Sequence, residues 1–464
     1  MELLEIVQML NSKVLWGWPS IILLLGTGIY FTLITGCVQI RKMGLAFKET
    51  FGFLFEPKKE KKEGEVSSFQ SLATAIAAQV GTGNLAGVAT AIASGGPGAI
   101  FWMWMSGFFG MGTIFAEAVV SQKFVRKIDG EKVGGPAYYI RHGLKNETVA
   151  KYLAGFFAVA IILALGLMGN VVQANSIAAS AQTAFNIPPV ATGIFVSILV
   201  MLIVAGGVSR ITSVTEKIVP FMALFYIAGS LIIIFMNFAN IGPALSMIVK
   251  SAFSAQALLG GAIGTSVKQA FRYGVARGLF SNEAGMGSTP HAHALAEVDH
   301  PAQQGLVATL GVLIDTGIVC TMTALVILTT GAYDFVAEGL TGAGLTQQAF
   351  TLGFGAYGTK FVATCLFFFA FSTIIGWYFF GETNVKYLFG KKGVWPFRVL
   401  VVLFLVVGSS VKVELVWELA DMFNALMVIP NLIALLALSG LVVKMQKDFE
   451  QKFLLGEKSE YQNK

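Results

Sequence analysis

The chain has 464 residues, of which 55% are hydrophobic and only 12% charged, with a net charge of +6 and a mean hydropathy of +0.72. A soluble domain carries about 25% charged residues, so the composition excludes an ordinary soluble enzyme. The basic residues sit in short loops beside long apolar segments, which excludes a nucleic-acid-binding surface. The cysteines Cys37, Cys320 and Cys365 lie in apolar segments with no disulfide or metal spacing.

These features predict an all-α polytopic membrane protein. Barrel strands would alternate every second residue, whereas these segments are apolar on all sides. A span needs about 20 apolar residues. Eleven segments qualify: 15–36, 67–93, 97–122, 150–183, 188–208, 218–239, 255–279, 303–331, 358–388, 395–411 and 415–443. Residues 241–256 read as a short surface helix and 280–300 as a polar connector. The N-terminus, MELLEIVQML, lacks the basic start of a cleavable signal peptide.

Basic residues orient the spans. Arg41 to Lys62, Lys123 to Lys151, Arg210 and Lys217, Arg272 and Arg277, Lys386 to Lys392, and Lys444 and Lys447 all fall on one side. The other side holds Lys13, Lys250, Lys360 and Lys412. The N-terminus is therefore expected outside a cell membrane and the C-terminus in the cytoplasm.

The second span contains Gln79-Val80-Gly81-Thr82-Gly83-Asn84, with Gly87 one turn on. Glycines weaken a helix by roughly 1 kcal/mol each, and irregular backbone at membrane depth persists only where it lines a cavity or is buried in protein. A broken helix offers free N–H groups to a carboxylate and free C=O groups to Na+ or an ammonium. The competing reading is a glycine-packed helix contact. GTGNLA also fits a dinucleotide-binding pattern, but it lacks the strand and soluble βαβ unit that pattern needs.

With the first span set aside, ten remain, divisible into five plus five of opposite orientation. The seventh span opens with Gly260-Gly261-Ala262-Ile263-Gly264-Thr265-Ser266, read as a second break. Paired interruptions in corresponding halves mark an inverted-repeat transporter. The expected organisation is a peripheral span with a basic loop at 1–66, a first repeat at 67–240, a second at 241–445 and a tail at 446–464.

GGPGAIFWMWMSGFFG, residues 95–110, and RGLFSNEAGMGSTPHAHA, residues 277–294, resemble signatures of the alanine/glycine:cation symporter family. The resemblance covers nearly the whole chain. It implies Na+-coupled uptake of alanine or glycine on a leucine-transporter-type five-plus-five fold.

Within that frame the N–H groups of Thr82 and Gly83 are expected to hold a substrate carboxylate. Gln79 faces the same cavity, and the resemblance implies that Asn84 helps bind one Na+. Ser372 and Thr373 lie midway along the ninth span. They either bond back to their own helix or, with carbonyls that the resemblance identifies as those of Ala77, Val80 and Phe369, form a Na+ site of neutral oxygens. Asn170 and Gln173 share a helix face and are candidate substrate contacts, or helix–helix glue. Phe271, Ile374 and Trp377 are candidates for an apolar wall, or plain packing.

Intramembrane acids default to functional hypotheses. Asp315, beside Thr316, is a candidate Na+ ligand or, in a proton-coupled alternative, the titrating group. Glu117 is expected near the cytoplasmic end, solvated or paired with a base. Glu418 and Asp421 are expected solvated at the outer end. His291, His293 and His300, with Glu297 and Asp299, read as a solvated connector rather than a metal cluster. Arg272 and Arg277 read as cytoplasmic-end anchors, with Arg272 an alternative inner gate. All histidines fall in polar loops and the acids are scattered, which argues against an intramembrane enzyme. Asymmetric broken helices argue against a channel.

Overall fold

The computed structural model describes residues 3–52, 65–128, 130–253, 267–411 and 414–462. Among the described helices are α1 (Trp18–Ile34), α2 (Ser68–Gln79), α3 (Gly83–Gly95), α4 (Gly98–Lys123), α5 (Glu147–Phe185), α6 (Pro189–Val204), α7 (Gly207–Met236), α8 (Ile241–Phe253), α9 (Val267–Asn282), α10 (Pro290–His293), α11 (Pro301–Thr329), α12 (Gly342–Phe354), α13 (Tyr357–Phe389), α14 (Val394–Gly408), α15 (Glu414–Ala437) and α16 (Ser439–Gln451). The only strands among the described residues, β1 (Arg126–Ile128) and β2 (Glu131–Val133), form an antiparallel hairpin after α4.

Six of these helices, α4, α5, α7, α11, α13 and α15, are long and apolar enough to cross a bilayer. The α2–α3 pair passes the same test as one span bent by 53°. Large apolar side chains point outward from α7, among them Leu224, Phe235 and Met236, and from α6 and α14 at Leu202 and Leu403. Exposed apolar bands of this kind are the lipid-facing surface of a bundle. Inside, α4 packs against α9 and α11, α13 packs against α5 and α2, and α7 packs against α2.

The second span breaks where the glycines were read. Ser67 caps α2 by accepting from the Gln70 amide, and α2 ends at Gln79 with Val80 extended (φ −82°, ψ 92°). Wide helical turns occupy Gly83–Gly87, Ile162–Gly169 and Leu313–Cys320. Such π-type turns are rare and concentrate at functional sites.

The seventh span adds an unwound stretch that the sequence reading did not place. Its expected break at Gly260–Ser266 lies outside the described residues. A break is present further on, because α9 runs to Asn282 and the chain then unwinds, with φ of +58° at Glu283, +84° at Gly285 and +80° at Gly287. The 280–300 stretch is solvated only near Glu297 and Asp299, which are exposed, and the rest of it is packed into the protein. Ser71 Oγ donates to the Ala292 carbonyl, Gln122 Nε2 to those of His293 and Ala296, and Val66 pairs in parallel with Ala296. His291, His293 and His300 are 1%, 1% and 0% exposed. Their rings meet Asn384, Gln304 and Asp448. His300 also caps α11 through Nδ1, which accepts from the Ala302 amide, and burial pushes its pKa down.

Arg272 and Arg277 do not group with the segments read as cytoplasmic. They line a cavity with Asn11, Trp16 and Asp421, on the face where the expected outer segments meet. Burying a polar stretch between helices satisfies its backbone as well as water does, so polarity alone did not separate the two.

Candidate functional site

The site is built around the α2–α3 break. The last carbonyls of a helix lack intrahelical partners and carry partial negative charge. Here α13 supplies the facing groups. Thr373 Oγ1 lies 3.0 Å from the Ala77 carbonyl, 3.4 Å from that of Val80 and 2.9 Å from that of Phe369. Ser372 Oγ lies 3.4 Å from the Ala77 carbonyl and 2.9 Å from that of Phe369. All five residues are 0% exposed. Both hydroxyls do bond back to their own helix, yet they also reach across to α2. Five uncharged hard oxygens, three of them carbonyls, therefore converge at one point, a donor set suited to a hard cation.

Asn84 joins the break to α11. Its Oδ1 accepts from the Gly81 amide at 2.9 Å, and its Nδ2 donates to Asp315. Asp315, 0% exposed, also accepts from Ser281 Oγ at 3.0 Å and Thr316 Oγ1 at 2.7 Å. Among the described residues it forms no ion pair.

Among the described residues, eight buried side-chain amide oxygens have no hydrogen-bond partner, and those of Gln79, Asn170 and Gln173 are among them. An unmet buried acceptor costs about 1–3 kcal/mol, which a substrate ammonium or water removes. Gln173 Nε2 donates to Thr82 Oγ1 at 3.1 Å and Gln79 Nε2 to the Asn282 carbonyl at 2.7 Å, so both touch a break. Asn170 Nδ2 turns back to the Gly166 carbonyl of its own helix at 3.0 Å.

A cavity of about 570 Å³ reaches the break, lined by Thr82, Gly83, Asn175, Arg277, Phe280 and Asp421 among others. Ile374 and Trp377 are buried on α13, and Trp377 Nε1 donates to Glu283 at 2.7 Å. Phe271 is not brought to the site. It stacks on Trp18 at 5.6 Å and meets Trp102 edge-on at 4.8 Å. Phe280, nine residues on, is the aromatic of α9 that lines the cavity. Sequence reasoning missed it because the end of α9 was read as a loop.

Glu117 is neither solvated nor paired with a base. It is 0% exposed and accepts from the amides of Gly285 at 3.1 Å and Gly287 at 3.0 Å and from Asn431 Nδ2 at 2.7 Å. The unwound segment after α9 thus wraps a carboxylate supplied by α4. Glu418 and Asp421 are half-buried rather than solvated. Glu418 accepts from Asn11 Nδ2 at 2.6 Å, and Trp16 Nε1 donates to the Asp421 carbonyl at 2.8 Å. Glu283 went unread; the GxG of Gly285-Met286-Gly287, echoing Gly81-Thr82-Gly83, was the available signal.

A family model described as the sodium:alanine symporter family matches residues 1–463. The chain belongs to the sodium:alanine symporter family. Within that family it is 44% identical to the sodium/alanine symporter AgcS of Methanococcus maripaludis, over 97% of this chain and 98% of that protein. It is 42% identical to a putative sodium/proton-dependent alanine carrier of Bacillus subtilis, YrbD, over 97% and 93%. It is 40% identical to a probable sodium/glutamine symporter of the same organism, GlnT, over 97% and 92%. Among solved structures, a manganese transporter of Eremococcus coleocola shares the fold, with a TM-score of 0.50 at 15% identity over 87% of this chain and 84% of that one. This member of the sodium:alanine symporter family is a multi-pass membrane transporter and not an enzyme.

Proposed function

We propose that the chain moves Na+ and a small neutral amino acid, alanine or glycine, together into the cell by alternating access. The observation that carries this reading is the meeting of Ser372 and Thr373 with the carbonyls of Ala77, Val80 and Phe369 at the helix break. Na+ is the cargo of that oxygen cluster. Binding there ties α13 to the broken α2–α3 span, and Asn84 carries the change to Asp315, the candidate for a second contribution to ion binding.

The amino acid then sits with its carboxylate on the amides of Thr82 and Gly83 and its ammonium on the unmet oxygens of Gln79 and Gln173. Phe280, Ile374 and Trp377 shape the apolar side. A zwitterion needs both donors and acceptors, and a broken span offers both. The five-plus-five reading is supported by like packing on like: the second helices of the two sets, α4 and α11, pack together, as do the third helices, α5 and α13. The cavity faces outward if the basic hairpin after α4 is cytoplasmic.

Purified protein is expected to bind labelled alanine in NaCl and not in choline chloride, with glycine competing. Equal binding in both salts removes the coupling. Na+-independent binding that follows pH and disappears in Asp315→Asn replaces it with the proton-coupled reading.

A further inference from the structure

Glu283 heads the unwound segment after α9. It holds a left-handed backbone, with φ of +58°, a conformation that costs a non-glycine residue about 1–2 kcal/mol. The residue is 1% exposed, and its carboxyl group accepts from Trp377 Nε1 at 2.7 Å through Oε1 and is bonded to Ser288 Oγ through Oε2. Among the described residues it forms no ion pair.

The titratable groups around it add no positive charge. Glu117 from α4 holds the amides of Gly285 and Gly287, and Tyr139 donates to Asn431, which in turn donates to Glu117. Asp315 from α11 holds Ser281, two residues before Glu283. His291 from α10 accepts from Asn384 Nδ2 through Nε2, so its Nδ1–H donates to the Ser288 carbonyl and the ring is the neutral tautomer. A buried carboxylate with neutral donors alone carries a desolvation cost of several kcal/mol, and here two more carboxylates lie close by.

We propose that Glu283 is a proton site that competes with the coupling cation. The inference rests on the Na+-coupled reading above. The carboxyl group keeps its two partners in either charge state. Ionised, it accepts from both Trp377 and Ser288. Protonated, its Oε2–H donates to Ser288 Oγ while Oε1 still accepts from Trp377. Trp377 stands one helical turn from Thr373 on α13, so the two share a face. A cation entering the Thr373 cluster repels a proton on Glu283 and expels it. By linkage, the proton weakens the cation to the same degree.

The sign follows. Below the pKa of Glu283 the Na+ half-saturation constant rises as pH falls, by up to about tenfold per pH unit for full competition, and above it the constant is flat. The experiment is Na+ activation of labelled alanine binding to purified protein from about pH 5 to pH 9, in wild type and Glu283→Gln. The glutamine keeps an acceptor for Trp377 and cannot ionise. The wild type is expected to show the acid limb, and E283Q a constant that does not vary with pH. The same acid limb in both proteins overturns the proposal. A second measurement needs no variant: at a pH on the acid limb, NaCl added to weakly buffered wild-type protein releases protons, and matched choline chloride does not. No release overturns the proposal while leaving Na+ coupling in place. Alanine binding that needs no Na+ at any pH removes the coupling itself.

Discussion

Thr373→Val lowers Na+ affinity about 10- to 100-fold and leaves the protein folded. The side chains are nearly equal in shape, so the packing of α13 on α2 persists. What is lost is one oxygen of five, the one within 3.4 Å of all three carbonyls. A hydrogen-bonding group facing a charge is worth about 1.5–3 kcal/mol, which is that range in affinity. The loss appears as a raised Na+ half-saturation constant in alanine uptake, with the maximal rate changed far less. Ser372→Ala has the smaller effect, because its hydroxyl reaches only the Ala77 and Phe369 carbonyls. A Thr373→Val protein with unchanged Na+ dependence places the cation elsewhere.

Gly81→Ala abolishes Na+-dependent uptake, while Gly87→Ala leaves it within about twofold. A Cβ on Gly81 would stand 2.5 Å from Thr373 Oγ1, inside van der Waals contact and against the cation cluster. Relief requires Thr373 to turn away or α13 to retreat, and either disperses the oxygens. Overpacking of this kind costs about 1–3 kcal/mol in stability, so the protein is expected to remain purifiable while the cation site is lost. A Cβ on Gly87 meets nothing within 4 Å. The two glycines lie on one broken span, so the contrast separates steric blockade of the cluster from general stiffening of the helix. Uptake at equal amounts of membrane-inserted protein measures it.

The first break and its facing hydroxyls were legible because their signals are local. Glycines with Gln, Thr and Asn inside an apolar run admit few readings, and adjacent hydroxyls at mid-span are conspicuous. The unwound stretch after α9 went unread because Asn282 to Thr289 is polar, and in a membrane protein polar sequence means either water or a satisfied interior. His291 and His293 were assigned to water for the same reason, and Glu117 to water or a basic partner because it lies near a span end, although their partners are backbone groups and amides contributed by distant segments. Phe271 and Phe280 both sit on α9, and only packing shows which one meets the cavity.

Labelled alanine uptake into proteoliposomes, with an inward Na+ gradient and then with K+ in its place, tests the central claim most directly. Accumulation above the outside concentration with Na+ and none with K+ is the predicted result. Accumulation driven equally by a pH gradient without Na+ contradicts it, because the oxygen cluster at Ala77, Val80, Phe369, Ser372 and Thr373 contains no group that takes up a proton.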